Sequence, residues 1–151
     1  MATTDAGYKT LTWADIDGTS LATGGLGVAA QTQSPSSNNK DLQDGTSSLV
    51  PSDIAMIVAV SGGSSDGYDA IIKVEWSEDN SNWPDAQQTQ LNGLPVAIFT
   101  SGNAGALLDR SNAFTVPVKA RYFRPSYKNN NASDAVVFRS RYAPVFYQTY
   151  S

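Results

Sequence analysis

Apolar residues recur at every second position through Asp69-Ala-Ile-Ile-Lys-Val-Glu-Trp-Ser77. Ala70, Ile72, Val74 and Trp76 share one face and Lys73 and Glu75 the other, as expected of a strand with one side against a core. Ile54-Ala-Met-Ile-Val-Ala-Val60 is apolar at every position, partly β-branched, and stopped by Ser61-Gly62-Gly63. It predicts a short strand buried on both faces, and therefore central in a sheet. Further along, Phe114–Val118, Ala120–Arg124, Ala135–Arg139 and Val145–Tyr150 are rich in β-branched and aromatic residues with turn formers between them, which predicts successive strands. Leu94–Phe99 is another strand candidate, and Pro95 pushes it toward an edge. No stretch of helical length keeps the three-to-four-residue apolar period.

The run Asn129-Asn130-Asn131 tolerates positive φ, so a hairpin joining 120–127 to 134–142 is expected. Between Asp17 and Ser48 the only large apolar residues are Leu21, Leu26, Val28 and Leu42. That composition reads as a long excursion, and excursions of this length are usually functional or disordered. Ser101–Asp109 is a second, shorter one. The expected organisation is an extended arm with loops over 1–48, packed on the domain or on a neighbouring subunit, followed by a sandwich over 49–151. At least six short strands without a helix to cover a parallel sheet indicate an all-β fold: an antiparallel β-sandwich of jelly-roll type.

Composition narrows the function. Charged residues make up 16% of the 151 residues, against about 25% in a typical domain, so much of the surface is Ser, Thr, Asn, Gln and Gly. Net charge is -4 and no Lys/Arg run is present, which argues against nucleic acid and membrane surfaces as partners. The longest apolar run is far short of the ~18 residues of a membrane span. The opening residues lack a basic region followed by an apolar stretch, so the chain reads as made in a cytoplasm without a signal peptide. Cys and His are both 0. Their absence removes the Ser-His-Asp and Cys-His nucleophile arrangements and the usual zinc and copper ligand sets. The expectation is a protein that is not an enzyme and carries no cofactor.

Two strings hold most of the remaining information. In Val74-Glu-Trp-Ser-Glu-Asp-Asn-Ser-Asn-Trp83, Asp79 and Asn80 favour a tight turn and Ser77 can bond turn amides. Trp76 and Trp83 then anchor the two arms of a hairpin to the core. In Phe114–Pro125, Arg121 and Arg124 precede Arg139 and Arg141 on what reads as the neighbouring strand. These four arginines either line a solvated sheet face, meeting carboxylates such as Asp109 or Asp134, or present an interface to an acidic partner. The terminus, with Phe146, Tyr147 and Tyr150, is either the last strand of the sandwich or a surface packed on another subunit. Glu75 with Glu78, or Asp79 with Asp85, is the candidate carboxylate pair, and a lone hairpin in a small sandwich offers no evident cleft for it. Asp66–Asp69 and Asp79–Asn82 cluster oxygen ligands of the kind calcium takes, though turn chemistry accounts for both.

A strand ending in Ser77-x-Asp79-x-x-x-Trp83, followed by Ala120-Arg121-Tyr122-x-Arg124, resembles the discoidin-like, galactose-binding jelly rolls. That resemblance implies a jelly-roll scaffold and, in many members, carbohydrate binding or adhesion, but the matching residues are scaffold and transfer no sugar site. The same pattern also looks like small virion proteins of tailed bacteriophages, used as head decoration (cement) proteins or as tail and baseplate pieces. This second resemblance implies a homo-oligomer, a trimer, on the phage head exterior with the major capsid protein as partner. Carbohydrate binding and a tail or baseplate role remain the alternatives.

Overall fold

The apolar segment 54–60 forms a central strand. A computed structural model describes residues 11–18, 24–43, 50–62, 69–84, 97–100 and 110–146, and ten strands lie among them. They are β1 (Ala14–Asp17), β2 (Leu26–Val28), β3 (Thr32–Pro35), β4 (Lys40–Asp41), β5 (Asp53–Gly62), β6 (Asp69–Ser77), β7 (Ala97–Thr100), β8 (Arg110–Pro117), β9 (Tyr122–Asn129) and β10 (Val136–Val145). They make two antiparallel five-stranded sheets. The first runs β1-β10-β5-β8 with β2 also on β10, and the second runs β3-β9-β6-β7 with β4 also on β9. No α-helix occurs among the described residues, and the fold is an all-β sandwich. Residues 101–109 and 94–96, where an excursion and the start of a strand are expected, lie outside the described residues.

The sheets face each other across one apolar layer. From the first sheet come Ile54, Met56, Val58, Val60, Val136 and Phe138, all inaccessible to water; from the second come Ala70, Ile72, Phe123 and Tyr127, equally buried. Aromatic rings link the layers. Tyr127 stacks on Phe138 with centroids 4.5 Å apart, and Phe123 meets the edge of Tyr142 at 5.0 Å and lies 5.9 Å from Trp76. Truncating a ring as buried as Phe123 costs about 3–5 kcal/mol. The outward side of β5 is only partly covered at Ala55 and Ile57, so that strand is fully buried on one face, not both.

The expected hairpin between 120–127 and 134–142 does not form. β9 pairs with β6, β3 and β4, whereas β10 pairs with β5, β1 and β2, so the Asn run carries the chain across from one sheet to the other. Its side chains explain why. Asn129 and Asn131 are buried, and the Asn129 amide donates to the carbonyls of Val28 and Asp134, both at 2.9 Å. Asn129 Oδ1 accepts from the Asn131 amide, and Asn131 Oδ1 from the amides of Ser133 and Asp134, each at 2.9 Å. Gln31, itself at φ 57°, donates its backbone amide to Asn131 O at 3.2 Å and its side chain to Asn130 O at 3.2 Å. Asn residues here serve as buried hydrogen-bonding plugs, a use that competes with turn formation.

Residues 14–42, read from composition as part of an arm, supply four short edge strands and the core residues Ile16, Val28 and Leu42. Between β1 and β10 the register slips, with Asp15 opposite Arg141 but Asp17 opposite Ser140. The extra residue, Ile16, makes a bulge, and bulges re-aim side chains. Ile16 and Asp17 are consequently both buried. Asp17 then accepts hydrogen bonds from Ser36 Oγ at 2.8 Å, Asn38 Nδ2 at 3.2 Å and the Tyr127 hydroxyl at 2.7 Å. Because that hydroxyl spends its one proton on Asp17, Ser140 Oγ donates to the Tyr127 oxygen. Burial, and then the neighbouring Asp17 carboxylate, push the Tyr127 hydroxyl well above the ordinary phenol pKa. This cluster joins the two sheets through polar atoms.

Candidate functional site

At the end of the sandwich opposite the Asn plugs, the chain crosses from β8 to β9 through residues 118–121. The crossover is tied to both sides, by the Val118 amide donating to Ser52 O and the Leu42 amide donating to Arg121 O, each at 2.9 Å. It forms a ridge with an open hollow on either side. One, of about 280 Å³, is lined by Trp76, Ser77, Glu78, Asp79, Asn82, Pro84 and Ala120. The other, of about 290 Å³, is lined by Leu42, Gln43, Val50, Val118, Lys119, Ala120 and Arg121. Ala120 belongs to both. The two sequence strings therefore meet at one place, around the ridge.

The turn after β6 is organised by Asp79. Its Oδ1 accepts from the amides of Asn82 at 2.8 Å and Ser81 at 2.9 Å and from Ser77 Oγ at 3.1 Å, and its Oδ2 from Asn82 Nδ2 at 2.6 Å. These donors, the Asn82 and Ser81 amides foremost, hold the carboxyl far below the usual carboxylate range. Ser77 thus bonds the Asp79 side chain, and it is Asp79 that bonds the turn amides. Asn80 takes the left-handed conformation, φ 60°, and its Oδ1 accepts from Asn39 Nδ2 at 2.9 Å, linking this turn to the β3–β4 connection. Every carboxylate oxygen of Asp79 is thereby engaged within the protein.

The two tryptophans part company. Trp76 points into the core with Phe123. Trp83 lies on the outer face of the second sheet, covering the Arg124 guanidinium at 4.3 Å from its ring centre. Under it, Arg124 Nε donates to Glu75 Oε2 at 2.7 Å, with the Glu75 side chain only 2% exposed. Lys73 on the same face is also buried. The face that alternation marks as solvated is therefore covered, since its partners come from Arg124, directly opposite Glu75 on β9, and from the turn.

The four arginines do not share a face either, because β9 and β10 lie in different sheets. Arg121 pairs with Asp41 through Nε at 2.9 Å and NH2 at 2.8 Å and lies over the Tyr122 ring at 4.9 Å. That bond to Arg121 holds the Asp41 carboxyl below its ordinary pKa. Arg139 donates to Gly24 O at 2.6 Å and Ser61 Oγ at 2.8 Å, and Arg141 pairs with Asp15 at 2.8 Å. Each has a partner in its own chain, and Asp109 lies outside the described residues. Phe146, just past β10, is 41% exposed; Tyr147 and Tyr150 lie outside the described residues, as do Asp66 and Asp85.

No protein-family model matches the chain, and no curated protein matches it in sequence. The arrangement must be judged on its own chemistry. Among the described residues no group of three or more His, Cys, Asp or Glu is placed to hold a metal, and Glu75 and Glu78 are divided between a buried ion pair and the solvent. What the end offers is an open, mostly apolar relief. Two residues escaped the sequence reading, Val50, 59% exposed, and the exposed Lys119, while the exposed Glu78 was singled out only as half of a carboxylate pair. Glu78 and Lys119 lie within the two strings and Val50 in neither, and only the fold puts the three around one ridge.

Proposed function

We propose that this chain is a virion structural protein, a decoration protein that binds the outer surface of a tailed-bacteriophage head and reinforces contacts between major capsid subunits. The observation that carries the reading is the occupancy of its polar groups. Asp79, Ser77 and all four arginines are engaged inside the fold, while the hollows at the ridge are shallow and the large apolar residues Val50 and Phe146 face water. A small ligand needs a concave site with convergent free polar groups. A broad protein surface needs only shape and apolar contact. The resemblance of Ser77–Trp83 and Ala120–Arg124 to phage decoration proteins supplies the setting. By binding the assembled shell and not its free subunits, such a protein stabilises the shell by mass action.

The test is sedimentation of the purified chain with empty heads of the phage that encodes it. Co-pelleting at a saturating ratio, with a rise in the temperature at which the shells come apart, is the expected result. Binding to tails instead, or to glycans on an array without binding to heads, would replace the proposal.

A further inference from the structure

The ridge at Ala120 separates two hollows of opposite charge. On one side Glu78 is exposed beside Trp76 and Pro84; on the other Lys119 is exposed beside Val118 and Val50. Neighbouring charged groups already have partners, Asp79 in the turn amides, which hold it ionised, and Arg121 in Asp41. Glu78 and Lys119 have no ion-pair partner among the described residues. The end of the sandwich thus presents an acidic and apolar half and a basic and apolar half on either side of a small side chain.

A surface built this way is complementary to itself. Under a two-fold rotation passing near Ala120, the acidic half of one copy meets the basic half of the other, and the reverse contact forms at the same time. That is the self-matching required of an isologous interface, in which residue i touches j and j touches i. We propose that the chain forms a two-fold dimer through this end, with Ala120 at the axis and a Glu78–Lys119 ion pair on each side. Ala120 lets the two ridges approach, and Val50 loses its exposure in the contact. Because the pairs lie at a shallow, wet surface, the dimer is reversible and weakens as salt rises. The inference needs only the free chain in solution, so it stands or falls separately from binding to a phage head.

Sedimentation equilibrium of the full chain across a range of concentrations and salt tests it. Expected is a reversible monomer–dimer equilibrium that shifts toward monomer in high salt. Glu78→Lys and Lys119→Glu each place like charges across the axis and weaken association about tenfold or more, whereas the double variant E78K/K119E restores it. Circular dichroism and thermal unfolding, unchanged in all three variants, exclude misfolding as the cause. A chain that remains monomeric, one that assembles into threes, or a double variant as weak as the singles would each overturn the two-fold contact.

Discussion

The two ends of the sandwich solve the same problem in opposite ways. At each end the chain crosses between sheets and leaves backbone groups without ladder partners. At the Asn129–Asn131 end the crossover's backbone groups are met, among the described residues, by buried side-chain amides. At the Ala120 end the crossover is tied down by two backbone hydrogen bonds and the Asp79 turn, and Glu78 and Lys119 keep no ion-pair partner among the described residues. Among the described residues, one crossover uses its polar side chains on itself and the other keeps some in reserve. Where a small β-sandwich spends its polar side chains therefore marks which end is scaffold and which end is available for partners.

Breaking the closed end should have the largest effect. Asn129→Ala removes two donated bonds and one accepted bond and strands two carbonyls and an amide; a loss of about 2–4 kcal/mol is expected from the shift in the urea midpoint. Next is Tyr127→Phe, on the same side of the core, at about 1–2 kcal/mol near neutral pH. Because the folded Tyr127 pKa lies above its unfolded value of 10.0, the stabilisation is complete below that value and fades as pH rises through the folded one. Thermal melts at increasing alkalinity should show the gap between wild type and the Phe variant narrowing.

At the open end the effects are smaller and more local. Asp79→Ala frees the amides of Ser81 and Asn82, so their hydrogen exchange quickens while global stability falls less than in either variant above. Since the Asp79 pKa is depressed, its contribution is full above the ordinary value of 3.8 and is lost as pH falls through the lower folded value. In acid, exchange at Ser81 in the wild type should approach that of the variant. Smallest of all, Glu78→Lys should change stability by less than about 0.5 kcal/mol, as measured by urea unfolding. A larger loss would mean that this end, too, is built for stability.

The fold class was legible where side-chain pattern alone decides it. Ile54–Val60 marked a central strand, and the inner face of β6 followed from strict alternation. Three features were not legible, each for a physical reason. Lys73 and Glu75 looked solvated because Arg124 and Trp83, which cover that face, are remote in sequence or beyond the strand. The Asn run looked like a hairpin because the residues that favour tight turns are also those whose amides can plug a crossover. Asp17 looked like the start of a loop, since a bulge at Ile16 breaks the alternation that would reveal burial. Of the candidate site, the Asp79 turn was readable locally, but the ridge and its two charges exist only once β8 and β9 are placed in different sheets.

The register has a consequence for how the chain is made. β10 is the last of the described strands to leave the ribosome, yet β1, β2 and one edge of β5 all wait for it. In the other sheet β3, β4 and β6 wait for β9. Throughout synthesis, then, the apolar strand at 54–60 has an open edge and the N-terminal strands have nowhere to go. Pairings between such distant segments form slowly, and open apolar edges recruit other chains. Closure of the first sheet waits for β10, and a nascent chain that stops before residue 136 leaves an apolar edge of β5 unpaired.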